Sequence, residues 1–520
     1  MKQTAILAID NGTQSVRAIA FDLQGQILAK AQIPLNDYFA AEPGWAEHDV
    51  SSFWHAACQA CQQVFVSGAV SPAQIAGVAV TTQRGTVINL DQHGQPLRPA
   101  ITWLDQRRCD NTPSLPWYWR SAFKLAGVSS TIRYLQQQAE VNWLAANQPE
   151  LWQNTAHYLL LSGYLNYQLT GEFTDSIASQ VAYLPFDYQA LDWAGKWAWQ
   201  WHALAIPRHV LPELRPPGAL LGKVTAAAAA ATGLLAGTPV LAAAADKACE
   251  VLGAGCITPE RACLSFGTTA TINTSRASYL EVTPYIPPYP AALPHHYNTE
   301  VQIFRGYWMV NWFKEQFGHH EQSQAAVLGV VPEDLFDDLV RSVPPGAMGL
   351  TLQPYWTPGI KIPGAEAKGA IIGFGDVHTR AHLYRAILEG LAYALRDGKE
   401  RIERRSKQAI TELRIAGGGS QSDAAMQLTA DVFNMPTTRP ALYETSALGA
   451  AMNAAVGLGL HSDYQQALQA MCRDGASFMP NPAHADIYQR LYSEVYQNMY
   501  GRLQPLYKAI QKITGYPRLD

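Results

Sequence analysis

Ala5-Ile6-Leu7-Ala8-Ile9-Asp10-Asn11-Gly12-Thr13-Gln14-Ser15-Val16-Arg17 is the stretch on which the reading of the fold turns. Its opening apolar run predicts a buried strand, which ends on an acid followed by Asn-Gly, a strong turn signal. Val16 to Phe21 predicts a second strand, and Gly25 marks a hairpin into a third from Ile27 to Ile33. Asp49 is placed to cap a helix running to about Val66, and Ile75 to Thr81 is a further apolar strand. A second copy begins near residue 262. Ala262-Cys263-Leu264-Ser265-Phe266 reads as strand, Gly267-Thr268-Thr269 as turn, and Ala270-Thr271-Ile272-Asn273-Thr274 as strand again. One pattern in both halves predicts two similar lobes with a ligand cleft between them. From about Ser462 onward, Tyr488, Leu491, Tyr492, Val495 and Tyr496 recur at helical spacing and predict C-terminal packing helices.

The bulk properties agree with an enzyme of two domains, expected at 1–255 and 256–520. A chain of 520 residues exceeds one ordinary core, and 48% hydrophobic against 15% charged residues excludes extensive disorder. The net charge is -4, and the longest basic cluster, Lys399 to Arg405, is interleaved with acids. That pattern is an ion-paired helix face and offers nothing to nucleic acid. The Ala-rich stretch from Ala226 to Ala245 is broken by Thr232, Gly233, Gly237 and Pro239, short of the roughly 20 apolar residues a bilayer needs. Met1 to Thr4 runs straight into the first strand without an apolar leader. Cys58 and Cys61 sit three residues apart on the expected helix, a packing pattern with no second pair to complete a zinc site. Seven scattered cysteines fit reduced thiols in the cytoplasm.

Three motifs carry chemistry. Asp10-Asn11-Gly12-Thr13-Gln14-Ser15 puts a carboxylate at a strand end before a tight turn rich in N–H and hydroxyl groups. Such a turn cradles phosphate, and the carboxylate can hold a Mg²⁺; it is equally the form of an ordinary hairpin turn. Asp246 closes a wholly apolar strand, where an unused acid is costly to bury. It can accept the proton of an attacking hydroxyl, or cap the helical run Ala248 to Leu252. Gly417-Gly418-Gly419, between a strand and a helix, lets the backbone approach a nucleotide or simply connects the two. There is no G-x-x-x-x-G-K-[ST], no H-R-D or D-F-G triplet, no G-x-S-x-G and no H-E-x-x-H, so P-loop, protein-kinase, serine-hydrolase and zincin chemistry have no support.

In this order along the chain, the motifs resemble the FGGY carbohydrate kinase family, which includes glycerol kinase and xylulokinase. The resemblance runs from about residue 4 to about 460. Its further anchors are Pro43-Gly44-Trp45-Ala46-Glu47-His48-Asp49, Thr82-Gln83-Arg84, Trp103-Leu104-Asp105-Gln106-Arg107, and Leu169-Thr170-Gly171 with Thr174-Asp175. Gly222-Lys223-Val224-Thr225 to Asp246 and Glu444-Thr445-Ser446-Ala447-Leu448-Gly449 complete the set.

The resemblance implies an α/β fold of two actin-like, ribonuclease-H-like lobes, with ATP and a sugar or polyol meeting in the interdomain cleft. It implies Asp246 as the base that takes the substrate proton and Asp10 as the residue positioning Mg²⁺, the two converging across the hinge. Thr13, Ser15 and Arg17 would approach the transferring phosphate. Thr268, Asn311, Gly418, Gly419 and Ser422 would hold the nucleotide, and Gln83, Arg84 and Lys247 match sugar contacts. The expected partners are a small-molecule substrate and, as a permitted assembly, a homodimer, with no nucleic acid and no membrane.

Three departures bear on the substrate, the first being that the Met-His-Gly typical of xylulokinases near Gln83-Arg84 is absent. Gly85 stands where glycerol kinases carry an acid, which removes an acceptor, opens space, and favours a ketose such as a pentulose over glycerol. Lys247 replaces the more usual Gln or Asn after the base, and a cation there favours the ionised form of Asp246. A catalytically idle sugar or nucleotide sensor on the same fold is the alternative, and an actin-like assembly ATPase a third.

Overall fold

The computed structural model describes residues 4–357, 359 and 363–516. The first half builds a six-stranded sheet from β1 (Ala5–Asn11), β2 (Ser15–Asp22), β3 (Ile27–Pro34), β4 (Ile75–Thr82), β5 (Leu220–Lys223) and β6 (Pro239–Leu241). Its order is β5-β6-β4-β1-β2-β3. β1 runs antiparallel to β2 and parallel to β4, and β4 runs parallel to β6. Every residue of β1 is buried, because helices cover both faces of this central strand. Helix α1 (Val50–Val66) closes one face through Phe53, Ala57, Cys61 and Val64. Asp49 caps it by accepting from the Ser51 N–H at 3.2 Å. Cys58 and Cys61 are free and buried in the helix.

The second half repeats the plan with β7 (Arg261–Phe266), β8 (Ala270–Arg276), β9 (Tyr297–Ile303), β10 (Glu412–Ala416), β11 (Thr437–Pro440) and β12 (Asp474–Phe478). β9-β8-β7-β10-β11-β12 reproduces β3-β2-β1-β4-β6-β5 strand for strand, including each parallel and antiparallel pairing. The duplication seen faintly in the sequence is therefore a duplication of strand arrangement in two actin-like lobes, although the chain runs through the outer hairpin in opposite order and the second sheet gains an edge strand, Tyr289–Pro290. The helical stretch expected beyond residue 462 is interrupted by β12, which pairs with β11 before Pro482–Arg490 and Gln497–Thr514 form. Within Lys399 to Arg405, Lys399 pairs with Glu403 at 2.8 Å and Arg401 with Asp397 at 2.5 Å.

Helix α2 (Asp246–Gly253) follows β6, and four helices of the second half matter below: α3 (Trp308–Phe317), α4 (Arg380–Ser406), α5 (Asp423–Phe433) and α6 (Thr445–Gly457). α6 packs against α2, and both lie on the β1–β4 face in one core holding Ile6, Ala8, Ala79, Cys249, Leu448 and Ala451. The crossing is tight enough to demand glycine on both helices. A Cβ on Gly253 would stand 2.0 Å from the Thr445 carbonyl oxygen, and one on Gly449 2.0 Å from that of Cys249.

Several family anchors brace a smaller subdomain inserted in the first half. Arg107 donates to Glu47 and Asp105, both at 2.7 Å, and lies 3.9 Å over the Trp45 ring. Asp175 accepts from Ser162, Asn166 and Gln180 and from the Ser176 N–H. These acids are consumed by structure. Among the described residues no helix is long and apolar enough to cross a membrane.

Candidate active site

Asp10 lies at the carboxyl end of β1, in register with Thr81 of the parallel strand β4. Thr81 Oγ1 donates to the Ala244 carbonyl at 2.8 Å, two residues before Asp246. A single rung of the sheet thus brings both carboxylates to the same edge. They sit on one lobe and do not converge across the hinge, as the sequence had suggested; the parallel strands β1, β4 and β6 necessarily end together. Asp246 is also the first residue of α2 and not its cap. Ala245 holds the cap position, and Asp246 Oδ1 accepts from the Lys247 N–H at 2.7 Å.

The two acids feel each other. Burial pushes the Asp10 carboxyl up to about 7, Arg17 pulls it down, and the charges of Asp246 and Glu444 add to the rise. Arg17, directly opposite in β2, donates to Asp10 Oδ2 at 3.2 Å and lies 3.6 Å from Glu444, which also pairs with Lys30. Asp10 Oδ1 has no donor among the described residues. Asp246 is half-buried, and burial raises its carboxyl above the usual range against the pull of Lys247 and Arg84. No cluster of three or more metal-ligating side chains occurs among the described residues. A magnesium carried on phosphates needs only one or two carboxylates, and Asp10, with Asp246 acting on it, fits that demand.

Around Asp246 the second lobe supplies partners that the sequence did not reveal. Arg84 reaches across the cleft and makes a two-pronged bridge to Glu300 of β9, at 2.9 and 3.0 Å, with its guanidinium 4.9 Å over the Tyr289 ring. Burial alone would raise Glu300, but Arg84 outweighs it and holds the carboxyl below its usual range. Lys247 Nζ donates to Glu250 at 2.9 Å and to Ser265 of β7, and Ser265 donates to Glu250 at 3.0 Å. Burial would lower this lysine, but Glu250 and Asp246 hold it above its ordinary range. Lys247 therefore ties α2 to the second lobe and sets its charge beside Asp246. Gln83 joins Thr13 and Trp103: Thr13 Oγ1 donates to Gln83 Oε1 at 2.9 Å, and Trp103 Nε1 lies 3.0 Å from each of their oxygens. Trp103 was legible only as part of an anchor motif. Its exposed indole over this pair makes it a candidate site residue.

The expected nucleotide residues meet on the second lobe. Phe266 stacks on Tyr307 with ring centroids 4.4 Å apart, and the Tyr307 N–H donates to the Gly267 carbonyl at 3.1 Å. This places the Gly267-Thr268 turn beside the start of α3, which carries exposed Asn311. The Gly417–Gly419 loop closes on the same aromatic pair, since a Cβ on Gly419 would lie 2.4 Å from the Tyr307 ring while Gly418 faces open space. The first lobe is close by: a Cβ on Gly267 would lie 3.6 Å from Lys247 Nζ. Two expected contacts are engaged elsewhere. Ser422 caps α5, accepting from the Ala425 N–H at 3.0 Å, and donates to Asp337; Ser15 Oγ accepts from Gln32 at 3.0 Å. A partly open cavity of about 180 Å³, lined by Glu300, Ile286, Val301 and Tyr355 among others, includes neither Asp10 nor Asp246.

Comparison with known proteins gives concordant matches. The FGGY family of carbohydrate kinases matches twice, its N-terminal domain on residues 5–253 and its C-terminal domain on residues 262–458. The uncharacterized sugar kinase YgcE of Escherichia coli (strain K12) is 31% identical over 506 residues, covering 96% of this chain and 94% of that protein. A xylulose kinase of Staphylococcus epidermidis is 27% identical over 521 residues, covering 99% of this chain and all of that one. The crystal structure of xylulose kinase from Rhodospirillum rubrum aligns with a TM-score of 0.80 at 27% identity, over 97% of this chain and 100% of that one.

Proposed function

Because the chain belongs to the FGGY family of carbohydrate kinases, we propose that it transfers the γ-phosphoryl group of ATP to a hydroxyl of a small ketose or polyol, pentulose-like in preference to glycerol, with Asp246 as general base. The observation that carries this reading is the pairing of Asp246 with Asp10 on one sheet edge, facing the Gly267-Thr268 turn of the other lobe.

Asp246 is half-buried and adjacent to Lys247 and Arg84, whose charges oppose the rise that burial imposes, so its ionised carboxylate can take the acceptor's proton as the hydroxyl oxygen bonds to phosphorus. The bond between phosphorus and the leaving oxygen of ADP breaks in the same step, and the proton stays on Asp246. Arg17, one-third exposed beside Asp10, is placed to meet the transferring phosphoryl oxygens. Thr13, Gln83 and Trp103 orient the acceptor from the first lobe, and Gly418 leaves room for nucleotide against the second. Magnesium bound with the nucleotide supplies charge neutralisation at the phosphates, and Asp10 would hold it through its unengaged oxygen. Gly85, at φ +68° and with Trp103 Cβ 3.6 Å from where a Cβ would stand, leaves the acceptor pocket without the acid that glycerol kinases carry there.

The test is ADP release with a panel of triols, tetritols, pentitols, pentuloses and hexuloses, comparing wild type with Asp246→Ala. A loss in kcat of roughly 10²- to 10⁴-fold, with ATP still bound, is expected. Full activity in the variant removes Asp246 from its role. Best turnover on glycerol overturns the substrate preference.

A further inference from the structure

Strands β8 and β9 present two unlike faces. Ile272 and Val301 pack on α4, where a Cβ on Gly398 would stand 2.8 and 3.1 Å from them. Alternation sends Asn273, Ser275, Asn298 and Glu300 to the opposite face, toward α2 and the first lobe. Asn273 stands opposite Glu300, and Ser275 opposite Asn298. Asn273, Ser275 and Asn298 are each only 1% exposed. Yet Asn273 Oδ1, Ser275 Oγ, Asn298 Oδ1 and Asn298 Nδ2 have no hydrogen-bond partner in the described structure. Buried polar atoms are almost always paired, so four orphans on one strip need a ligand or bound water.

The strip begins where the acceptor site ends. Glu300 holds Arg84, whose charge acts on Asp246. Asn298 lies two residues further along the same face, about 7 Å beyond Glu300. The first lobe packs over the strip: Tyr289, paired with Asn298 on the sheet, meets Tyr188 edge-on at 6.1 Å. We propose that Asn273, Ser275 and Asn298 form a distal subsite, contributed by the second lobe, that hydrogen-bonds the far hydroxyls of a neutral acceptor of five or six carbons. The chemistry selects the class. Asn298 offers both a donor and an acceptor, Ser275 can serve as either, and Asn273 accepts, which suits hydroxyl groups. Arg84 already neutralises Glu300, so the strip offers uncharged donors and acceptors and no cation for the anionic end of a sugar acid, and a three-carbon acceptor held at Asp246 falls short of it. This subsite rests on the acceptor-kinase reading above.

The experiment uses the full-length protein, its Asn298→Ala and Ser275→Ala variants, and glycerol, erythritol, xylitol, ribulose, xylulose and fructose as probes. The expected result is a roughly 10- to 100-fold fall in kcat/KM on the five- and six-carbon probes, at least tenfold larger than the fall on glycerol. The melting temperature without ligand should not drop, since the atoms removed have no protein partner. Equal losses across chain lengths, or none, overturn the subsite. If the wild type releases no ADP with any probe, the kinase reading fails, and the subsite is then judged by thermal shift alone. Stabilisation of the wild type by five- or six-carbon probes that weakens in both variants upholds it. Equal stabilisation, or no stabilisation of the wild type, overturns it.

Discussion

Asp10→Asn should make the unliganded protein more stable while disabling it. A carboxyl moved from 3.8 to about 7 by folding penalises the ionised folded state by roughly 4 kcal/mol at high pH, at ~1.4 kcal/mol per pH unit. The sign follows from proton counting. Between those two values the folded chain keeps a proton that the unfolded chain has released, so stability falls as pH rises through the window, and the full penalty stands above it. An amide removes the penalty. It also takes an ionised partner from Arg17, but that side chain is one-third exposed and keeps Glu444, so about 1 kcal/mol is returned. The net gain is about 3 kcal/mol at pH 8.5 and less than half of that at pH 5. Urea unfolding at both pH values, followed by tryptophan fluorescence, measures the difference. Magnesium and ATP should narrow the gap by stabilising the wild type more than the variant. A variant less stable than wild type at pH 8.5, or a gain independent of pH, would refute the reasoning that burial beside Asp246 strains this carboxylate.

The remaining predictions concern the rest of the cleft. Asp246 must be ionised to act as base, so kcat should fall as pH drops through its raised pKa, and Asp246→Asn should flatten that acid limb in the residual rate. Glu300→Ala leaves Arg84 without its partner across the cleft and should cost about 3 kcal/mol in urea unfolding; the double variant Arg84→Met, Glu300→Leu should recover much of that stability but not acceptor affinity. Gly449→Ala drives a methyl against the Cys249 carbonyl and should lower stability by ~1–3 kcal/mol, read as a lower urea midpoint. Gly419→Ala forces the glycine loop off Tyr307 and should raise the KM for ATP about tenfold or more while leaving the KM for the acceptor near its wild-type value, a split that steady-state kinetics resolves.

The sequence alone determined the strands from Ala5 to Asp10 and from Ala262 to Phe266, each within a residue of its observed bounds, their Gly-Thr turns and the Asp49 cap, because each rests on neighbours within a few residues, and the order of its motifs along the chain determined the family. It also marked Asp10 and Asp246, since an acid ending an apolar strand is conspicuous without any knowledge of its surroundings. Tertiary structure decided the rest. That Asp105, Arg107 and Asp175 brace the fold, and that Ser422 caps a helix and Lys247 locks to Glu250 and Ser265, depends on partners mostly brought in by the fold, and in some cases from the other lobe. Glu300 and Asn298 were invisible for the same reason: period-two alternation says that they share a face, but only packing says that the face looks into the cleft while its neighbours Val301 and Ile272 look at α4. Charge and hydrogen bonding act through space, and a linear chain records only the spacing along itself.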